Sequence, residues 1–299
     1  MQLSSYDLQH LCQLAISAAY KAGKIIAEHA HHSITINSKT GGSSLASQVV
    51  TEVDLLSQAA ILNILTPSSD TYNLALLTEE TPDNLERLNH DYFWCIDPLD
   101  GTLPFIEATS GYAVSISLVS QNGTPHIGVI YDPITDTVYH AIKDSGAFIN
   151  NKPWLLKPEL QSAMQPLTFI CDRSFRQHMC FPKVIDSLNH FSEQQGYYGI
   201  KTICHGGAVM NACWVLENHP ACYFKFPKPQ NGGGSLWDYA ASTCLFLELG
   251  VFASDIFGKP LALNRIDSSF MNHNGVLFSS DSALTKHIIK LFSQLQSGA

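Results

Sequence analysis

The segment Trp94-Cys95-Ile96-Asp97-Pro98-Leu99-Asp100-Gly101-Thr102 carries the sharpest chemical signal in the chain. Two carboxylates stand three positions apart directly after an apolar run, and Pro98 between them opposes a simple continuation of a strand. Gly101 and Thr102 read as the start of a short helix. Such a strand end offers hard oxygen ligands for a divalent cation beside free backbone N–H groups for an anion. A site with both capacities suits phosphate ester chemistry. Asp-Pro or Asp-Gly alone is a common turn dipeptide. The whole string behind a strand favours the site.

Other acidic spots are weaker taken singly. Glu79-Glu80 follows the apolar run 74–78 and by itself reads as a solvated strand end. Asp238 follows Trp237 at the start of an apolar helix, where Ser235-x-x-Asp238 has the pattern of a capping box, and Thr51-x-x-Asp54 repeats that pattern. Capping is the favoured reading of each in isolation.

The elements that must hold these residues follow from periodicity. Apolar positions Leu8, Leu11, Ala15, Ala18, Ala22 and Ile25 predict a helix over 6–29 with Ser5 as N-cap, its burial fading at His29. The Gly/Ser-rich stretch 36–49 predicts a mobile loop, and a second helix is expected over about 52–65. Short apolar runs at 74–78 and 92–96 predict strands, and those at 111–118, 127–131, 137–142 and 147–149, with a turn at Asn122-Gly123, predict an antiparallel meander. The second half mixes strands at 167–171, 221–226 and 276–279 with helices at 181–195, 207–217, 237–249 and about 282–295. The segment 230–235, with Gly232, Gly233 and Gly234, is expected to be a flexible loop. A boundary near 151–165 divides the chain into an α+β domain, 1–155, with most of the acidic residues, and an α/β domain, 156–299, with Asp238.

Composition narrows the function. Of 299 residues, 45% are apolar and 14% charged, which excludes disorder as the main state. A net charge of −9 excludes a general affinity for nucleic acid, so an anionic substrate needs a local site. No apolar run is long enough to span a membrane and the N-terminus has no secretory pattern, so a cytoplasmic protein without membrane partners is expected. The eight cysteines include no CxxC pair and are read as unbridged, with Cys95, Cys213 and Cys244 as small core residues.

Together the acidic fragments resemble one family. Val50-Thr51-Glu52-Val53-Asp54, Thr78-Glu79-Glu80, Asp97-Pro98-Leu99-Asp100-Gly101-Thr102, Gly206-Gly207-Ala208 and Trp237-Asp238-Tyr239-Ala240-Ala241 occur in the order and spacing of the inositol monophosphatase superfamily. These are magnesium-dependent, lithium-sensitive phosphatases, and the resemblance spans roughly 10–290. It implies a layered αβαβα sugar-phosphatase fold of the α+β class, with an antiparallel N-terminal sheet and a mixed C-terminal one. It implies that Glu79, Asp97 and the Leu99 carbonyl hold one Mg²⁺, that Asp97, Asp100 and Asp238 hold a second, and that a third touches Glu79, with Mn²⁺ as the alternative metal. Thr102, bonded to Asp54, would orient and help deprotonate the attacking water, and the N–H groups of Gly101 and Thr102 would take phosphate oxygens.

The resemblance leaves the substrate between branches. Inositol monophosphatases usually carry a Glu after the strand near Tyr223, where this chain has Lys225. Bisphosphate nucleotidases often carry a basic residue there, so Lys225 is either a contact for a second phosphate or an ordinary solvated lysine. Asp172-Arg173-Ser174-Phe175 resembles a nucleotidase Ser-Arg-Ser-His-like string, with Asp172 and Phe175 as departures; Arg173 is a candidate contact. His205 before Gly206-Gly207 is either a donor to substrate or structural, and Met271-Asn272-His273-Asn274 stands out without an assigned mechanism. The favoured substrate is adenosine 3′,5′-bisphosphate, hydrolysed to AMP and phosphate, with inositol monophosphate as the alternative. The chain would be a monomer on the first reading and a homodimer on the second. A regulatory binding protein that keeps the fold is the alternative of another class, and retention of every acidic position speaks against it.

Overall fold

The computed structural model describes residues 2–30, 36–38, 49–156 and 165–297. Helix α1 (Ser5–His29) buries the expected stripe through Ala22, and His29 at its end is half-exposed. Its N-cap is Ser4 rather than Ser5, because only Ser4 places an acidic residue at the third helical position. Ser4 N–H donates to Asp7 Oδ2 at 2.8 Å and Asp7 N–H donates to Ser4 Oγ at 3.2 Å. Such a reciprocal cap stabilises a helix by about 1 kcal/mol.

Strands β1 (Ile36–Ser38) and β2 (Val49–Thr51) form an antiparallel pair that bounds the expected 36–49 loop, whose centre lies outside the described residues. Helix α2 (Glu52–Tyr72) runs well past Leu65, with Pro67 inside it. Local hydroxyls and one tertiary contact carry it through the proline. Ser68 Oγ donates to Leu65 O at 2.6 Å and Thr71 Oγ1 to Pro67 O at 2.8 Å, while Trp94 Nε1–H donates to Ser68 Oγ at 3.1 Å.

The first sheet is made of β3 (Ala75–Thr78), β4 (Tyr92–Asp100), β5 (Ala113–Ser120), β6 (Pro125–Asp132), β7 (Thr137–Ile142), β8 (Gly146–Ile149) and β9 (Lys152–Pro153), in that spatial order, with the short helix α3 (Thr102–Ile106) leaving the end of β4. The meander from β4 onward is antiparallel as expected, but β3 lies parallel to β4, so the sheet is mixed. The chain returns over 79–91 before entering β4, which makes both strands run the same way. Their carboxyl ends therefore lie side by side, and Glu79 N–H donates to Ile96 O at 3.1 Å.

The second sheet has the spatial order β11 (Ile200–Ile203), β10 (Leu167–Ile170), β12 (Ala221–Lys225), β14 (Val276–Ser279), β13 (Phe252–Ser254) and is mixed, as expected. Residues 157–164, between the two sheets in sequence, lie outside the described residues.

Alternate strand residues face different cores, as a period of two requires. In β4, Trp94 and Ile96 pack with α1 and α2, while Phe93 and Cys95 pack with α5 (Ala208–Glu217) and α6 (Leu236–Glu248). The second sheet covers the far side of α5 and α6, and its outer face packs on α4 (Phe181–Gln195) and α7 (Ser282–Ser297). The layers run helix, sheet, helix, sheet, helix. The middle helix pair begins where β4 ends, and the candidate site sits at that junction.

Candidate active site

A regular strand would point residues 97 and 100 to opposite faces. Here Asp97 pairs with Ser115 and Asp100 with Ala113, so three steps on β4 match two on β5. This bulge absorbs Pro98, which has no N–H to contribute, and turns Asp100 to the side of Asp97. The strand thus continues past Pro98, against the expectation that it stops there. Ser57 Oγ on α2 donates to Pro98 O at 2.7 Å, and Leu99 N–H donates to Asp97 Oδ1 at 3.0 Å.

Asp100 meets the start of α5. Its carboxylate accepts from Ala208 N–H at 3.2 Å and Val209 N–H at 2.8 Å, where the helix dipole favours negative charge. A Cβ on Gly207 would lie 2.3 Å from Asp100 Oδ2, so this approach requires glycine. Asp238 occupies the third position of α6 and accepts from Ser235 N–H at 2.6 Å. It caps the helix and also faces the other two acids. One carboxylate oxygen from each of Asp97, Asp100 and Asp238 lies within 4.8 Å of the others.

Buried acids this close destabilise one another's charged forms. Burial, with Glu79, Asp100 and Asp238 beside it, raises the pKa of Asp97 well above the carboxylate range. Burial and Asp238 raise that of Asp100 against the Val209 hydrogen bond. Burial and Glu79 push Asp238 up to about 6, with Lys225 pulling the other way. Among the described residues, Asp97 Oδ2 is buried and has no hydrogen-bond partner. An all-oxygen donor set with an unsatisfied carboxylate atom fits a hard divalent cation.

Thr102 lies beside this cluster. Its hydroxyl is 3.4 Å from both Asp54 Oδ1 and Leu99 O, and Thr102 and Asp54 are buried. Gly101, between Asp100 and Thr102, has φ +83°, and a Cβ there would come within 2.6 Å of Gly111 O. That left-handed turn starts α3 against the 111–112 backbone.

Residues 7–297 match the inositol monophosphatase family. The chain belongs to this family. It is a metal-dependent phosphatase whose family acts on small phosphorylated substrates. It is 30% identical over 247 residues to the Nus factor SuhB of Haemophilus influenzae, covering 82% of this chain and 85% of that one. It is 28% identical over 270 residues to the 3′(2′),5′-bisphosphate nucleotidase CysQ of Aggregatibacter actinomycetemcomitans, covering 90% and 92%. The fold is that of the inositol monophosphatase from Anabaena, with a TM-score of 0.70, 22% identity, and 96% and 97% of the two chains covered.

The three residues singled out as substrate contacts are all engaged within the protein. Lys225 at the end of β12 is not an ordinary solvated lysine: its side chain is 16% exposed, and Nζ pairs with Asp172 at 2.8 Å. Nζ also lies 5.9 Å from the Tyr223 ring centre and 5.8 Å from that of Tyr239. Burial works against its charge, but Asp172 and Tyr239 hold its pKa up. Arg173 makes a bidentate pair with Glu107 at 2.6 Å on each arm, and both side chains are exposed. His205 is exposed, tilts against Trp214 with ring centres 4.9 Å apart, and lies 3.4 Å from Ser110 Oγ.

Sequence reasoning treated Asp172 only as a departure from a pattern. Besides holding Lys225, its carboxylate accepts from Tyr223 O–H at 3.1 Å and lies 3.5 Å from Asn211 Nδ2. The available signal was an acid at a strand end three-dimensionally opposite Lys225, and pairing across β10 and β12 is not legible without the sheet order. The other departure, Phe175, packs edge-on against Phe169, Phe181, Phe224 and Phe226. The unassigned stretch at 271–274 braces the glycine-rich loop. Lys228 N–H donates to Asn272 O at 3.0 Å, Asn272 Nδ2 donates to Lys228 O at 3.1 Å, and Met271 N–H donates to Gly234 O at 2.9 Å.

Among the described residues no helix is long and apolar enough to cross a membrane.

Proposed function

We propose that the chain is a Mg²⁺-dependent phosphomonoesterase whose chemistry is centred on Asp97, Asp100 and Asp238. The observation that supports this is the mutual approach, within 4.8 Å, of the buried Asp97 and Asp100 and the half-buried Asp238 at a strand end flanked by two helix starts. Glu79, Asp97 and the Leu99 carbonyl would hold one ion, and Asp97, Asp100 and Asp238 another, with Glu79 reaching a third. When bound there, the ions neutralise phosphate charge and lower the pKa of water. The remaining roles belong to the chain. Asp54 accepts the Thr102 hydroxyl proton and leaves the Thr102 oxygen lone pairs to receive a proton from the attacking water. The N–H groups of Gly101 and Thr102 take phosphate oxygens, and the buried floor formed by Asp54, Leu99 and Thr102 excludes bulk water.

Adenosine 3′,5′-bisphosphate is the substrate this reading names first. A lysine set above two tyrosine rings, on the wall that faces Asp238, supports a nucleotide with a second phosphate, and likeness to CysQ agrees with it. Inositol monophosphate is the second reading, favoured by one observation: Asp172 already neutralises Lys225. The deciding measurement is phosphate release with Mg²⁺, comparing kcat/KM for adenosine 3′,5′-bisphosphate and inositol 1-phosphate. A preference of about 100-fold corresponds to about 2.7 kcal/mol of transition-state stabilisation and names the branch. Absence of turnover with either ester, and with a wider sugar-phosphate panel, rejects the catalytic reading in favour of a binding protein.

A further inference from the structure

Two thiols outside the carboxylate pocket stand where a bond can close between them. β10 and β11 run parallel, with Ile170 opposite Ile203, and the next residue of each is a cysteine. Cys171 N–H donates to Ile203 O at 2.9 Å, so the ladder extends to this pair. Cys171 Sγ and Cys204 Sγ are 2.8 Å apart, and both thiols are free. Neighbouring strands are spaced about 4.8 Å apart, inside the range of about 4.4–6.8 Å that disulfides span between Cα atoms. That spacing and the 2.8 Å sulfur separation suit a bond between them.

The two sulfurs are unequal. Cys171 is buried, and its partner thiol together with burial raises its pKa. Cys204 is half-exposed, and the hydrogen bond from Cys171, with Arg176 nearby, favours its thiolate. One sulfur is therefore poised to meet an oxidant and the other to resolve the product.

Both cysteines are roots of segments that reach the active site. Asp172 follows Cys171 and grips Lys225. His205-Gly206-Gly207 follows Cys204, and the N–H groups just beyond it hold Asp100. A covalent bond between the roots adds a fixed tie, beside the ladder hydrogen bond, to the two segments that carry the Lys225 clasp and the N–H groups on Asp100.

We propose that Cys171 and Cys204 are a peroxide-sensitive modification site, forming a reversible disulfide that slows turnover. The Cys204 thiolate attacks hydrogen peroxide; an S–O bond forms, the O–O bond breaks, and hydroxide leaves. Cys171 sulfur then attacks the Cys204 sulfenic acid. The S–S bond forms, the S–O bond breaks, and the Cys171 proton leaves with the oxygen as water. Two thiols lose two electrons and two protons, and one peroxide becomes two waters. A dithiol reductant reverses the change, as expected for a half-exposed disulfide.

The test uses the full, pre-reduced chain, treated with hydrogen peroxide and then with dithiothreitol. Intact mass should fall by about 2 Da, with the bond mapped to the Cys171 and Cys204 peptides. Turnover with Mg²⁺ should drop about 10-fold or more and recover with dithiothreitol. Cys204→Ser should abolish both the mass change and the sensitivity. Cys171→Ala, which introduces no polar group into the buried position, should leave Cys204 as a sulfenic acid trappable by dimedone. The mass readout is independent of the substrate, so an inactive chain does not obscure it. Two thiols that both stay alkylatable, a bond mapped to Cys180 instead, or a 171–204 bond with unchanged turnover would each overturn the proposal.

Discussion

The end of β4 holds buried acids and the end of β12 faces the half-buried Asp172, and the two places treat acidic charge in opposite ways. At β4, Asp97, Asp100 and Asp238 converge with no cation in ion-pair contact among the described residues, and the pKa of each is raised. At β12, Asp172 is matched by Lys225 at 2.8 Å and by the Tyr223 hydroxyl at 3.1 Å. Isolated buried charge costs several kcal/mol, and a well-bonded pair recovers most of that cost. One wall of the site is therefore complete on its own. The other keeps its negative charges side by side, the feature on which the proposed cation site rests.

The comparison breaks first at Asp97. Asp97→Asn should lower kcat by about 10³-fold or more, the scale of losing a principal electrostatic element of a phosphoryl-transfer site. The same change should stabilise the metal-free protein, because it removes a carboxylate whose charge burial and the neighbouring acids disfavour. Urea unfolding in EDTA checks the second effect. A less stable Asp97→Asn protein would mean that the three acids are not in net repulsion.

Thr102→Ala should have the next largest effect, a fall in kcat of about 10²-fold, within the range for proton transfer by a positioned group. Mg²⁺ affinity should change little, because the hydroxyl touches none of the acidic trio and meets Leu99 O only at a long 3.4 Å, leaving that carbonyl in place when it is removed. Equal losses in kcat and in Mg²⁺ affinity would place Thr102 in the cation site. Mg²⁺ itself gives a third measure. At 100 times its Kd it should stabilise the native chain by about 2.7 kcal/mol, and Asp97→Asn should abolish most of that gain. Lys225→Glu should not, and a loss there would show that the two walls are not separate.

The contrast also explains what the sequence made legible. The acids at β4 are read from local strings, since Asp97, Asp100, Gly101 and Thr102 are contiguous and Asp238 stands in its own capping box. Helix and strand periods likewise placed most elements within a few residues. The differences arise where tertiary contacts override a local rule. Pro67 does not end α2 because Ser68 is tied to Leu65 O and to Trp94 on β4. Pro98 does not end β4 because a bulge takes it in. The parallel pairing of β3 and β4, which places Glu79 beside Asp97, depends on the path of the intervening chain rather than on any pattern within either strand. Lys225 and Asp172 are 53 positions apart and meet only because β10 lies beside β12. A single residue type, read alone, left Lys225 undecided between solvent and substrate. The pairing shows that its charge already has a partner.

The finest prediction sharpens that point. Asp172→Asn keeps the shape and a hydrogen-bond acceptor for Tyr223 and Lys225 but removes the negative charge. If the Asp172 pair tunes the wall against a second phosphate, the variant should raise the ratio of kcat/KM for adenosine 3′,5′-bisphosphate to that for inositol 1-phosphate by about 10-fold, equivalent to about 1.4 kcal/mol. Lys225→Glu should shift the ratio the other way. The variant should also lose about 1–3 kcal/mol of stability, because a mostly buried lysine loses its carboxylate partner. These two effects separate the roles. A stability loss with an unchanged ratio makes the pair a purely structural clasp between β10 and β12. A changed ratio makes Asp172, through Lys225, the residue that sets which phosphate ester the wall accepts.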